Sequence, residues 1–230
     1  MKILVVSDVH ANWEALRRIP EDCDAVLFIG DLVDYGPQPK ECLAWMRAHA
    51  TAVVSGNHDF AVANRLSARC APRFQPLADA TADLMWRLLD EDEIAYQRGF
   101  PITADLTLGG VRFHLVHATP SDPLYTYLPP PEEARWAAEV ERLDADVLLV
   151  GHTHLPMILR VGTKLVVNPG SVGQPRERDP RAAYAIIEDG VPRLCRTEYD
   201  IEASVRLLAK RGLALDVAGS LAQVLLTGTL

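Results

Sequence analysis

Each short apolar run in the first half of this chain stops at a cluster of Asp, Asn, His or Gly. Lys2 to Val6 runs into Ser7-Asp8-Val9-His10, and Ala25 to Ile29 into Gly30-Asp31-Leu32-Val33-Asp34. Ala52 to Val54 leads to Gly56-Asn57-His58-Asp59. Runs of this length read as buried strands, and the stretches between them, about Asn12 to Ile19 and Pro39 to His49, carry helical spacing. The alternation predicts a sheet with helix cover.

The second half changes rhythm. Asp105 to Leu108 and Val111 to Val116 flank Gly109-Gly110 as a hairpin. Asp146 to Val150, Met157 to Arg160, Lys164 to Val167, Ala182 to Glu188 and Pro192 to Glu198 follow as further strands, several at hairpin spacing. Two sheets are the natural way to bury so many strands in one chain of 230 residues. With helices outside both, the expected fold is a four-layer αββα sandwich of two mixed sheets. No linker divides the chain, so residues 1–230 are expected to form one domain, with terminal helices from about Ile201. Arg65 to Pro76 and the proline-rich Ala118 to Pro131 read as long loops.

Charge narrows the function. The chain holds 23 Lys plus Arg against 31 Asp plus Glu, a formal charge of −8, which is the wrong sign for non-specific nucleic-acid binding. The apolar run Ile3 to Val6 is too short for a signal peptide or a membrane span, so a cytoplasmic protein without membrane attachment is expected. Cys23, Cys42, Cys70 and Cys195 show no C-x-x-C pair and suggest neither a zinc-thiolate site nor a disulfide framework.

The polar clusters stand at the carboxyl ends of strands, where open α/β sheets bind ligands. Two later strands add to them: Val111 to Val116 ends in His117, and Asp146 to Val150 in Gly151-His152-Thr153-His154. In an extended chain, Asp8-x-His10 and His152-x-His154 each put two side chains on one face. His117 shares a face with apolar residues of its strand and aims at the rim, whereas His114 points the other way and reads as structural. Gly30, Gly56 and Gly151 precede the ligand types, where a missing Cβ permits tight turns or close backbone approach. Only His49 and His114 of the seven histidines lie outside these clusters. Imidazole, carboxylate and amide oxygen without thiolate suit Mn, Fe, Co, Ni or Zn. The ligands outnumber the needs of one ion, and two ions about 3.5–4 Å apart, bridged by a carboxylate, are the geometry of phosphatases and nucleases.

Asp8-x-His10, Gly30-Asp31-x-x-Asp34, Gly56-Asn57-His58-Asp59, His117 and Gly151-His152-Thr153-His154 occur here in the order of the calcineurin-like metallophosphoesterase superfamily. The chain resembles its small bacterial and archaeal YfcE-type members over residues 1 to about 200. Pro169 to Arg176 resembles the segment that follows the last metal motif in that subgroup. The resemblance implies one ion on Asp8, His10, Asp31 and His154, and a second on Asp31, Asn57, His117 and His152. It places a catalytic histidine at His58, with Asp59 as the acid that orients its ring.

The resemblance also implies hydrolysis of a phosphodiester or phosphomonoester bond in a small molecule or nucleotide. The attacking group would be a metal-bridging hydroxide, with manganese the first expectation among the metals. His58 would serve the leaving oxygen, and Asn12, Arg176 and Tyr35 are the expected substrate contacts. The Ala118 to Pro131 loop, directly after His117, is expected either to wall the pocket with Tyr125 and Tyr127 or to pack those rings for stability. Asp34-Tyr35-Gly36 and Asp59 replace the Asp-Arg-Gly and Asn-His-Glu of eukaryotic Ser/Thr phosphatases, which disfavours that branch. Dinucleoside polyphosphate hydrolysis, protein dephosphorylation and a non-catalytic metal-binding scaffold are the alternatives. Apolar residues on the terminal helices suggest a homodimer.

Overall fold

Strand β1 (Lys2–Val6) shows how one apolar run serves two interfaces. Successive side chains of a strand point to opposite faces. Ile3 and Val5 therefore enter the layer between the sheets, while Leu4 and Val6 enter the layer beneath the helices. All four are almost fully buried, and each such burial contributes about 1.5–3 kcal/mol.

A computed structural model describes residues 1–20, 22–130 and 132–230. The first sheet continues with β2 (Ala25–Phe28) and β3 (Ala52–Val53), both running parallel from β1. Helices α1 (Trp13–Leu16) and α2 (Pro39–His49) make the crossovers. Then come α3 (Asn57–Asn64), α4 (Gln75–Leu88) and α5 (Glu91–Arg98). The second sheet comprises β4 (Thr103–Leu108), β5 (Val111–Val116), β6 (Val147–Leu149), β7 (Met157–Val161) and β8 (Lys164–Asn168), with α6 (Glu133–Glu141) between β5 and β6. The chain then returns to the first sheet as the hairpin β9 (Ala182–Glu188) and β10 (Val191–Thr197), and closes with α7 (Ile201–Ala209) and α8 (Leu215–Thr227).

The strand orders are β10-β9-β1-β2-β3 and β4-β5-β6-β8-β7, both mixed, so the expected four-layer sandwich is present. Ile3, Val5, Leu27 and Ile29 of one sheet meet Phe113, Leu115, Val147 and Leu149 of the other. The parallel strands β1, β2, β5 and β6 end on one side, and that side carries the site. Among the described residues, no helix is long and apolar enough to cross a membrane.

Several boundaries differ from the sequence reading. The first helix stops at Leu16 rather than Ile19, and the irregular segment after Arg65 ends when α4 begins at Gln75. Helices α3, α4, α5 and α6 have no counterpart in that reading. In α3 apolar and polar faces are not segregated, because Asn57, His58 and Asp59 are as buried as Ala61 and Val62. Helix α5 depends on its ends: Asp90 accepts from the Glu93 N–H and Glu93 from the Asp90 N–H, each at 2.9 Å. Pro131, the last residue of the second expected loop, lies outside the described residues. The four cysteines are free thiols.

Candidate metal centre

The residues after each strand bend sharply instead of running on extended. Asp8 and His10 have φ of 52° and 47°, Asp31 60°, and His152 and His154 64° and 59°. This corrects the expectation that Asp8-x-His10 and His152-x-His154 share a face of extended chain. Left-handed residues turn the chain back so that both members of each pair reach the same pocket, and Asp and His tolerate this region better than most residues. Backbone bonds stitch the turns together: Asp8 N to Gly30 O (2.9 Å), His10 N to Asp31 O (3.0 Å), Gly151 N to His117 O (2.8 Å) and Gly173 N to Asp8 O (3.0 Å). The packing leaves no room for a side chain at Gly56, whose Cβ would meet Asp31 Oδ1 at 2.0 Å.

Two buried groups result. Asp8, His10, Asp31 and His154 form one, and Asp31, His117 and His152 the other, each with its potential ligand atoms within 4.8 Å of one another. Asp31 belongs to both: its Oδ2 lies 3.8 Å from His10 Nε2 and 3.1 Å from His117 Nε2. Asn57 Oδ1 stands 3.1 Å from His152 Nδ1 at the edge of the second group.

Backbone carbonyls decide which ring nitrogens face inward. His10 Nδ1 donates to Val33 O (3.0 Å), His117 Nδ1 to Ile29 O (2.7 Å), His154 Nδ1 to Gln174 O and His152 Nε2 to Tyr125 O (3.3 Å). The opposite nitrogen of each ring is directed into the centre, the usual arrangement of ligating histidines. His10 Nε2 and His154 Nε2 face each other at 3.4 Å, and the buried Asp8 Oδ1 and His117 Nε2 have no hydrogen-bond partner. Lone pairs converging without a donor are repulsive unless a cation sits among them. The donor set therefore fits divalent metal ions.

Protonation follows the same logic. Burial holds the pKa of His10 and His154 below the usual imidazole value and takes that of His152 down to about 3, so these rings stay neutral. Burial works against charge on His117 too, but Asp31 pushes its pKa up to about 9, so near neutral pH its Nε2 carries a proton that a cation would have to replace. Burial would raise Asp8, yet His154 keeps it below the ordinary carboxylate range.

His58 begins the second residue of α3 and lines the cavity. Its Nδ1 lies 2.6 Å from Asp34 Oδ2, and Asp34 Oδ1 is held by the Tyr35 N–H (3.1 Å) and by the Thr81 hydroxyl. Burial opposes charge on His58, but Asp31 and Asp34 override it and raise its pKa. The expectation that Asp59 orients this ring is thereby corrected to Asp34. Asp59 accepts the backbone N–H groups of Asp31 (2.7 Å), Leu32 (2.8 Å), Val33 (3.2 Å) and Gly56 (3.1 Å). It fastens the Asp31 turn to the start of α3, since it caps the helix whose first residues are Asn57 and His58. Burial and Asp31 push its pKa up to about 7, against those four donors.

Over the centre opens a cavity of about 240 Å³, lined by Asp31, His58, His152 and His154 at one end and by Arg69, Cys70, Ala71, Tyr125, Tyr127 and Arg176 around it. Arg176 is thus one of the residues that line the cavity. Asn12 and Tyr35 are corrected. Asn12 is 1% exposed and fully engaged, accepting from Ala15 N–H and Ser204 Oγ and donating to Gly173 O and Tyr199 Oη. Tyr35 is 2% exposed, packs against His10 and His58 with centroids 4.8 Å apart, and directs its hydroxyl at Cys70 Sγ (3.6 Å). Both support the site from behind. The reading of sequence missed the roles of Asp34 and Arg69. Asp34 stands in the second motif, while nothing in the spacing around Arg69 brings it to the cavity.

A family model for the calcineurin-like phosphoesterase superfamily domain matches residues 1–189. A metallophosphoesterase crystal structure from Sphaerobacter thermophilus superposes with a TM-score of 0.83 at 31% identity, covering 100% of this chain and 99% of that one. A protein of Methanocaldococcus jannaschii is 28% identical over 92% of this chain and 93% of its own length. The phosphodiesterase YfcE of Escherichia coli is 26% identical over 83% of this chain and 89% of its own.

Proposed function

The chain belongs to the calcineurin-like phosphoesterase superfamily, and on that ground we propose that it is a two-metal phosphoesterase that hydrolyses a phosphodiester or phosphomonoester of a small molecule or nucleotide. One observation carries the reading: two buried ligand groups share Asp31 and point fixed lone pairs at common points. Asp8, His10, Asp31 and His154 would hold one ion, and Asp31, Asn57, His117 and His152 the other, with manganese the leading metal. Such ions make water nucleophilic near neutral pH and offset charge on phosphoryl oxygens.

The remaining work falls to side chains of the cavity. His58 has Nδ1 committed to Asp34, so Nε2 is the nitrogen available to a substrate. Its raised pKa keeps a proton on the ring, and that proton passes to the leaving oxygen as its bond to phosphorus breaks. Asp34 positions the ring and stabilises its charged form. Arg176 offers a planar pair of N–H groups to the phosphoryl oxygens.

Hydrolysis of bis-nitrophenyl phosphate and of nitrophenyl phosphate by the manganese-loaded protein tests the reading. Release of nitrophenol from either ester is expected, and its absence with both overturns the enzyme assignment in favour of a metal-binding scaffold. Elemental analysis of protein purified without chelator is expected to find about two transition-metal ions per chain.

A further inference from the structure

Two arginines line the cavity and are held in different ways. Arg176 is half-buried; its Nε and Nη2 donate to Gln174 Oε1 (3.3 and 2.9 Å), and its guanidinium lies 4.0 Å from the centroid of the Phe74 ring. The backbone carbonyl of Gln174 accepts from His154, so Arg176 stands beside the first ligand group. Arg69 is exposed, with its guanidinium 4.2 Å from the centroid of Tyr125. The carbonyl of Tyr125 accepts from His152, which places Arg69 on the side of the second group. Neither arginine has a carboxylate partner among the described residues, so what sets these two apart is their place on the cavity wall.

The position of Arg69 is built. Its φ is 52°, a conformation that a non-glycine residue keeps only where its surroundings impose it. On one side Asn57 Nδ2 donates to Ala68 O (2.8 Å); on the other the Cys70 N–H donates to Gln75 Oε1 (3.0 Å). Gln75 Nε2 also donates to Ser67 Oγ (3.0 Å). The amide of Asn57 faces His152 with its oxygen and the Arg69 loop with its nitrogen, which ties the loop directly to the metal centre.

We propose that Arg69 is a specificity-determining residue that binds a second anionic group of the substrate, one phosphoryl unit beyond the phosphorus held at the His/Asp centre, while Arg176 binds the first. The proposal rests on the phosphoester reading of the site. A guanidinium stacked flat on an aromatic ring keeps its N–H edge for paired bonds to a phosphate. The cavity of about 240 Å³ runs from Asp31, His58, His152 and His154 to Arg69, which is room for roughly eight waters at about 30 Å³ each and for more than one phosphoryl group. A second anionic group of a substrate whose first lies at the His/Asp centre therefore comes beside Arg69. Diphosphorylated or polyphosphorylated compounds, such as nucleoside diphosphates, are therefore preferred to compounds with one phosphoryl group.

Calorimetric titration of the manganese-loaded protein with a non-hydrolysable phosphonate analogue of adenosine monophosphate and with the non-hydrolysable methylene analogue of adenosine diphosphate tests this. The wild type is expected to bind the diphosphate analogue about tenfold or more tightly than the monophosphate. Arg69→Ala should bring that ratio down to about threefold or less while monophosphate binding stays within about twofold; Arg176→Ala should weaken both ligands. Arg69→Lys, which keeps the charge but loses the planar fork, should fall between Arg69→Ala and the wild type. Equal binding of the two ligands by the wild type overturns the proposal, as does an unchanged ratio in Arg69→Ala or an equal loss for both ligands in that variant. Failure of the phosphoester reading appears separately, as intact nitrophenyl esters, because the titration requires no turnover.

Discussion

His114 lies on β5 and His117, three residues on, just past its end, and each faces an aspartate. His114 Nδ1 lies 2.7 Å from Asp105 Oδ1, directly across from it on β4, and Asp105 is 77% exposed. His117 Nε2 lies 3.1 Å from Asp31 Oδ2, with both side chains at most 1% exposed and the other ring nitrogen committed to Ile29 O. The first pair is complete: Asp105 is open to solvent, and the contact is one of little energetic weight. The second is incomplete, because burial excludes water and His117 Nε2 can face Asp31 only by carrying a proton or by sharing a cation with it. A His/Asp pair becomes a metal site through what it lacks.

The largest effect should separate these two pairs. Asp31→Ala is expected to abolish metal binding and to reduce turnover by more than about 100-fold, whereas Asp105→Ala should leave metal content and turnover within about twofold. Elemental analysis beside a nitrophenyl ester assay checks both, and loss of metal in the Asp105 variant would end the distinction. Next in size is His58→Ala, expected to retain metal and lose about 100- to 10,000-fold in turnover. Asp34→Asn should lose roughly 10- to 100-fold by removing the partner of the ring.

Asp59→Ala should act on the fold. It leaves four buried N–H groups without an acceptor and is expected to lower stability by about 2–4 kcal/mol in urea unfolding. A stability equal to the wild type would mean that the Asp31 turn is held by other contacts. The smallest effect belongs to the opposite ends of the strands. Asp146, just before β6, accepts from Arg112 N, Nε and Nη2, and those bonds draw its pKa down to about 2. A carboxyl lowered on folding stabilises the native state above its unfolded pKa of about 4 and loses that contribution as pH falls towards 2. Asp146→Asn should therefore flatten the pH dependence of the melting temperature between about pH 4 and 2 and leave it unchanged near neutrality.

How far the sequence carries the reader differs between parts of this site. Strands β1, β5 and β9 are legible to the residue, because an apolar run has one burial solution and its end is marked by a polar cluster. The ligand types Asp8, His10, Asp31, Asn57, His117, His152 and His154 are legible for the same reason. The partner of His58 is not, since Asp34 and Asp59 are both acids near it in the motifs, and only the fold shows that four backbone N–H groups occupy Asp59. Nor is the engagement of Asn12, whose hydrogen bonds reach Tyr199 and Ser204 nearly two hundred residues away. Arg69 is invisible for another reason: a loop of mixed polarity between α3 and α4 has no period, and its place comes from Asn57 and Gln75.

Five of the seven proposed ligand positions have a left-handed backbone: Asp8, His10, Asp31, His152 and His154. Asn and Gly adopt that conformation with less strain, by up to about 1 kcal/mol at each site. Retaining imidazole and carboxylate there opposes the drift towards a more heat-resistant molecule. The backbone there holds a conformation that the proposed metal centre, rather than the stability of the fold, requires.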